Sequence, residues 1–154
     1  MHRYEARISW SRNGATFTDN RYSRGHEWFF DGGVKVPASS SPAVVRHPYS
    51  LAEAVDPEEA LVAAASSCHM LSFLYLAAKQ GFIVESYEDN AFGVMEKNKE
   101  GKLAISRITL RPRIQFFGKK LPSPADLESL HHVAHEECYI ANSIKSEVVV
   151  EAGI

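Results

Sequence analysis

Residues 3–10 alternate in character: Tyr4, Ala6, Ile8 and Trp10 fall on one face and Arg3, Glu5, Arg7 and Ser9 on the other. A period of two predicts a half-buried strand. A turn at Asn13-Gly14 leads into an extended segment from Arg21 to Asp31, which Gly32-Gly33 ends. The stretch VPASSSPAVVRHPYSLAEA follows, with three prolines, four serines and no periodicity. It predicts a long loop, of the kind that tends to carry function in a compact domain.

Periodicity then changes. Asp56-Pro57-Glu58-Glu59 has the form of a helix start, with Asp56 as N-cap, Pro57 at the first helical position and Glu59 closing a capping box. Lys79 and Gly81 have the form of its end. Between them the segment is apolar nearly all round, which predicts a helix buried on most sides. Phe82 to Glu96 and Leu103 to Phe117 read as strands about a turn at Asn98 to Gly101, with Pro112 hinting at an edge or bulge. Ser123-Pro124 opens a second helix with Leu127, Leu130, Ala134 and Cys138 along one stripe, and Glu147 to Glu151 forms a last strand. Strands, long helix, strands, helix and strand, without regular βαβ alternation, predict an α+β fold with mostly antiparallel sheet.

Length and charge narrow the field. A chain of 154 residues is expected to be a single domain, 1–154. Its net charge of -2 gives no electrostatic argument for nucleic acid or an anionic membrane, so the expected partners are small molecules or protein. Ala60 to Ala78 contains no Asp, Glu, Lys or Arg, which raises the question of a transmembrane span. Ser66, Ser67, His69 and Ser72, the weakly hydrophobic alanines and the absence of flanking aromatic or basic anchors argue against one. The N-terminus lacks the apolar core of a secretory signal, and a cytoplasmic location is expected.

The two cysteines, Cys68 and Cys138, lie 70 residues apart. In a reducing compartment such a pair is more readily free, catalytic or redox-active than a permanent staple. Cys68 shares its helix face with Leu61, Ala64, Ala65, Leu71, Ser72 and Tyr75, and that environment taken alone suits a packed, inert thiol. Around Cys138, in LHHVAHEECYIANS, His131 stands at i-7 and His135 at i-3. His131, His135 and Cys138 are a conceivable zinc ligand set, weak for want of a fourth ligand. If the two thiols met in space, one would serve as nucleophile and the other as resolver. Spacing alone does not bring them together.

DPEEALVAAASSCHM, followed 70 residues after its cysteine by AHEECYIANS, resembles the OsmC/Ohr family, the osmotically inducible protein C and organic hydroperoxide resistance proteins. The most specific piece is Pro-Glu with a cysteine ten residues after the glutamate on an Ala-rich helix. The resemblance implies an intertwined α+β homodimer with the central helix at its interface. It also implies thiol-based reduction of organic hydroperoxides in an oxidative stress response, without metal, haem or other cofactor and with an external thiol or lipoyl-type dithiol as reductant. By position Cys68 matches the peroxidatic cysteine, Cys138 the resolving cysteine and Glu58 the carboxylate. An arginine from the N-terminal strands completes such sites; here Arg24 is the first choice, with Arg21 and Arg46 behind it. Val55-Asp56, His69 and Tyr139 depart from the pattern and place the chain nearer an OsmC-like branch than Ohr itself.

The chemistry suits those roles. A guanidinium near Cys68 favours its thiolate, and Glu58 is able to hold that guanidinium by paired hydrogen bonds. Ten helical residues rise about 15 Å, so Glu58 does not reach the thiol of its own helix, and a site containing both requires a second copy. Leu71, Phe73, Tyr75 and Phe92 are the side chains expected to favour an organic tail. Two other readings stand beside the peroxidase: a small-molecule binding protein with idle thiols, and a metal site at His131, His135 and Cys138.

Overall fold

The computed structural model describes residues 1–151; the expected domain limit at 154 lies outside the described residues. The architecture is α+β, and the chain forms two compact units, Met1–Ala60 and Leu61–Ile154.

In the first unit β1 (Ala6–Ser9), β2 (His26–Phe30) and β3 (Lys35–Ala38) form an antiparallel sheet in the order β1-β2-β3. The first strand is where the alternation predicts it, but all four of its residues are exposed rather than half-buried. The stretch expected to be loop from Val36 onward begins as β3, since Pro37 sits on an outer strand where its missing N–H costs no ladder bond. Ala38 then bridges to Val55, and Ser39 Oγ accepts the Leu51 N–H at 3.0 Å.

The helix start forms as its sequence dictates. Glu59 N–H donates to Asp56 Oδ1 at 2.8 Å, and Asp56 N–H donates to Glu59 Oε2 at 3.2 Å, a reciprocal capping box. The helix α1 runs Pro57–Lys79. Gly81, at φ 79°, closes it: Gly81 N–H donates to Ala78 O and Phe82 N–H to Ala77 O, the paired bonds of a Schellman end.

In the second unit the two segments expected as single strands each divide. Phe82 to Glu96 becomes β4 (Ile83–Asp89) and β5 (Phe92–Lys97), and Leu103 to Phe117 becomes β6 (Leu103–Leu110) and β7 (Pro112–Phe117). Both break for one reason, a change of sheet: β4 pairs with β7, and β5 with β6. The helix α2 (Pro124–Glu137) starts on a Ser123–Asp126 capping box, and a short α3 (Tyr139–Ser143) follows. Finally β8 (Glu147–Val150) joins β6 in parallel, the crossover being the long connection through β7, α2 and α3.

Two cores result, and α1 serves both. Ala65 packs with Ile108, Leu110 and Val148, while Phe73 and Ala77 pack with Phe82, Leu130 and Ala134. Gly93 lets the helix approach β5, because a Cβ there would lie 2.9 Å from Val62 Cγ2 and 3.1 Å from Ile105 Cγ2. The expectation of a helix buried on most sides fails for the single chain. Ala65, His69, Phe73 and Ala77 form its buried stripe, whereas Leu71 and Tyr75 are 61% and 66% exposed. By length and composition α1 would suffice to cross a membrane.

Candidate active site

Cys68 and His69 stand on α1 between its two cores, after Ala65 and before Phe73. Cys68 is partly exposed; Cys138 is fully buried; both are free thiols. Although 70 residues apart in sequence, they are neighbours, near enough for Cys68 to bear on the Cys138 proton. Cys138 does not continue the α2 stripe. It caps that helix and starts α3, where its Sγ accepts the Ala141 N–H at 3.4 Å. Burial pushes the Cys138 thiol up, the Ala141 N–H opposes that, and the adjacent Cys68 adds to it. Cys138 therefore holds its proton.

The candidate arginine and carboxylate are in the first unit. Arg24 and Glu58 line one cavity of about 450 Å³, with Ile8, Trp10, Phe17 and Tyr22 among its walls. Arg24 is held in place by its own loop: Nη1 donates to Asn20 O at 2.8 Å and Tyr22 O at 2.6 Å, and Cζ stands 3.8 Å from the Tyr22 ring centroid. A guanidinium clamped in this way keeps its remaining N–H groups for a ligand or partner. Glu58 has a buried Oε2 with no hydrogen-bond partner. Arg21 and Arg46 are exposed and are not among the lining residues.

Of the four residues expected to form the site, Cys68 neighbours Cys138, and Arg24 and Glu58 line the same cavity. Of the four side chains expected to favour an organic tail, Phe73 belongs to the core and is fully buried. Sequence reasoning missed the aromatic wall. Phe17 stacks on Tyr22 at 4.6 Å, with Trp10 centred 5.8 and 5.5 Å from the two rings. Its only advance signal was the cluster of aromatics flanking Asn13-Gly14.

The histidines take a different arrangement from the metal reading. His131 Nδ1 faces His69 Nε2 at 3.1 Å inside the protein, and among the described residues no group of three His, Cys, Asp or Glu side chains is placed to hold a metal ion. Burial foremost, then His131 and His135, push His69 down to about 4. Burial also lowers His131, against the pull of Asp89.

An α+β chain whose central helix carries a half-exposed thiol against a buried one defines a thiol-bearing class of fold. The OsmC-like protein family profile matches residues 50–153, and this chain belongs to that family. The solved OsmC-like protein of unknown function from Vibrio cholerae is similar at 52% identity and TM-score 0.97, over 99% of this chain and 100% of the other. The organic hydroperoxide resistance protein OhrB of Bacillus subtilis shares the fold, with TM-score 0.68 at 16% identity over 99% and 98% of the two chains. The organic hydroperoxide resistance protein OsmC of Legionella pneumophila does so with TM-score 0.64 at 17% identity over 99% and 96%. No curated protein matches this sequence significantly.

Proposed function

We propose that this protein is a cytoplasmic, homodimeric thiol peroxidase that reduces organic hydroperoxides to alcohols. The observation that carries the reading is the adjacency of a partly exposed Cys68 and a buried, proton-holding Cys138. In the first step the Cys68 thiolate attacks the distal oxygen of ROOH. The O–O bond breaks, the alkoxide takes a proton and leaves as ROH, and Cys68 becomes a sulfenic acid. In the second, Cys138 bonds to that sulfur, hydroxide leaves and takes up the Cys138 proton as water, and a disulfide remains. An external dithiol, thiol or lipoyl-type, returns both sulfurs to thiols by exchange. No metal or other cofactor is assigned a role.

Arg24 and Glu58 complete the site across a dimer. Along one helix Glu58 and Cys68 are separated by about 15 Å, so the carboxylate and guanidinium that serve a given thiol come from the second copy. The exposed Leu71 and Tyr75 face of α1 is the surface offered for that contact. Nothing in this scheme uses nucleic acid or membrane.

Intact mass tests the reading. One equivalent of cumene hydroperoxide should remove two hydrogens per chain; an unchanged mass would refute it. Cys68→Ser should abolish turnover, whereas Cys138→Ser should complete the first oxidation and stop at the sulfenic acid or beyond. The aromatic cavity, with its unpartnered Glu58 oxygen, favours one second reading, a small-molecule binding protein with idle thiols. Ligand-induced quenching of Trp10 fluorescence without any mass change would support that alternative.

A further inference from the structure

The residue after Cys68 reaches across to the helix that ends at Cys138. His69 is fully buried, and its Nε2 lies 3.1 Å from Nδ1 of His131, seven residues before Cys138 on α2. The two rings are nearly parallel, 7° apart, and the His131 ring centre lies 4.6 Å from that of Phe73. It is the one side chain–side chain hydrogen bond joining α1 and α2 among the described residues.

One hydrogen-bonding state fits this setting. His69 Nδ1 is buried without a partner, and a bare acceptor is cheaper to orphan than a buried N–H. His69 Nε2–H is therefore the donor and His131 Nδ1 the acceptor, both rings neutral. Protonating His131 at Nδ1 would set two donors against each other. His135 on α2 and Asp89 on β4 are the other titratable groups that bear on the pair, with Tyr87 beyond Phe73; Asp89 is occupied by the Ser66 hydroxyl and the Arg111 N–H.

We infer that the His69–His131 hydrogen bond is a positioning strut for the thiol pair, fixing α1 against α2 so that Cys138 stands in register to close a disulfide on Cys68. A hydrophobic contact at this place would resist separation but not sliding, because dispersion is non-directional; a hydrogen bond between two rings fixes both distance and angle. The strut acts on closure of the disulfide, not on the attack of Cys68 on an oxidant. It rests on the thiol-pair reading for its biological use, but its test does not need a peroxide.

Diamide supplies that test on the full-length chain: it takes two electrons and two protons from the two thiols, leaving a disulfide and a hydrazine. His69→Leu, which fills the space without the bond, should slow closure after the first thiol has reacted at least tenfold, with the first reaction changed less than twofold. His69→Gln, whose amide extends to about the position of Nε2, should restore closure to within threefold of the wild type. His131→Leu and His131→Asn form the same pair from the other side and decide the matter if His69→Leu does not fold. Phe82→Leu, in the same core, should lower the melting temperature while leaving closure within twofold. The strut is overturned if both leucine variants that fold close the disulfide at the wild-type rate, or if Phe82→Leu slows closure as much as they do. Loss of peroxide turnover with intact diamide closure would count against the peroxidase reading alone.

Discussion

The thiol pair and the Arg24–Glu58 cavity are built in opposite ways. The sulfur pair, in Leu61–Ile154, is packed: Cys138 is sealed, His69, next in sequence to Cys68, is sealed as well, and Gly93 gives up its side chain so that helix and sheet can close. The cavity, in Met1–Ala60, is open, with about 450 Å³ walled by Trp10, Phe17 and Tyr22 and a Glu58 oxygen without a partner. A sulfur pair with one member sealed in a packed core needs little from outside to hold its geometry, whereas a carboxylate oxygen without a partner, lining the same cavity as a clamped guanidinium, is ready to receive something. The contrast separates what the fold stabilises from what it presents.

Perturbing the packed region should therefore cost stability, and perturbing the open cavity should cost rate. The largest expected effect is acid destabilisation through His69. A histidine of the unfolded chain titrates near 6.5, the folded His69 near 4. Above pH 6.5 both states are neutral and its contribution is fully present. As the pH falls toward 4 the unfolded chain gains a proton that the folded chain refuses, so stability declines, by roughly 3 kcal/mol in all. Urea unfolding from pH 7 to pH 4 should record that slope in the wild type and a shallower one in His69→Gln. Gly93→Ala comes next, costing about 1–3 kcal/mol in the same assay, since the added methyl meets Val62 and Ile105. Smallest in energy is Arg24→Met. It should slow oxidation of Cys68 by cumene hydroperoxide roughly tenfold, about 1.4 kcal/mol, with a melting temperature within about 2 °C of the wild type. A large melting shift for Arg24→Met, or a rate loss for Gly93→Ala without loss of stability, would dissolve the contrast.

Local signals in the sequence were readable because they are local. Asp56 and Glu59, like Ser123 and Asp126, close their capping boxes within four residues, and Gly81 ends α1 where its φ demands. The breaks at residues 90–91 and at Arg111 were not readable. They mark where a strand leaves one sheet for another, and periodicity carries no information on which sheet a strand joins. The same limit applied to the site. Cys68 and Cys138 were singled out by residue type and by family resemblance, but their meeting depends on how α1 packs against α2. His131 and His135 suggested a metal from their spacing on one helix; the partner His131 takes is His69, 62 residues away. Phe17 and Tyr22 follow no period because a loop, not an element, brings them to Trp10.

The hydrogen bond from the Ala141 amide to the Cys138 sulfur couples the backbone to the electron density on that atom. Any covalent partner acquired by the sulfur competes with the amide for its lone pairs, so one proton at the head of a five-residue helix registers the oxidation level of the protein. Its chemical shift in a nitrogen-15 spectrum is a readout that requires neither dye nor label on the thiols themselves.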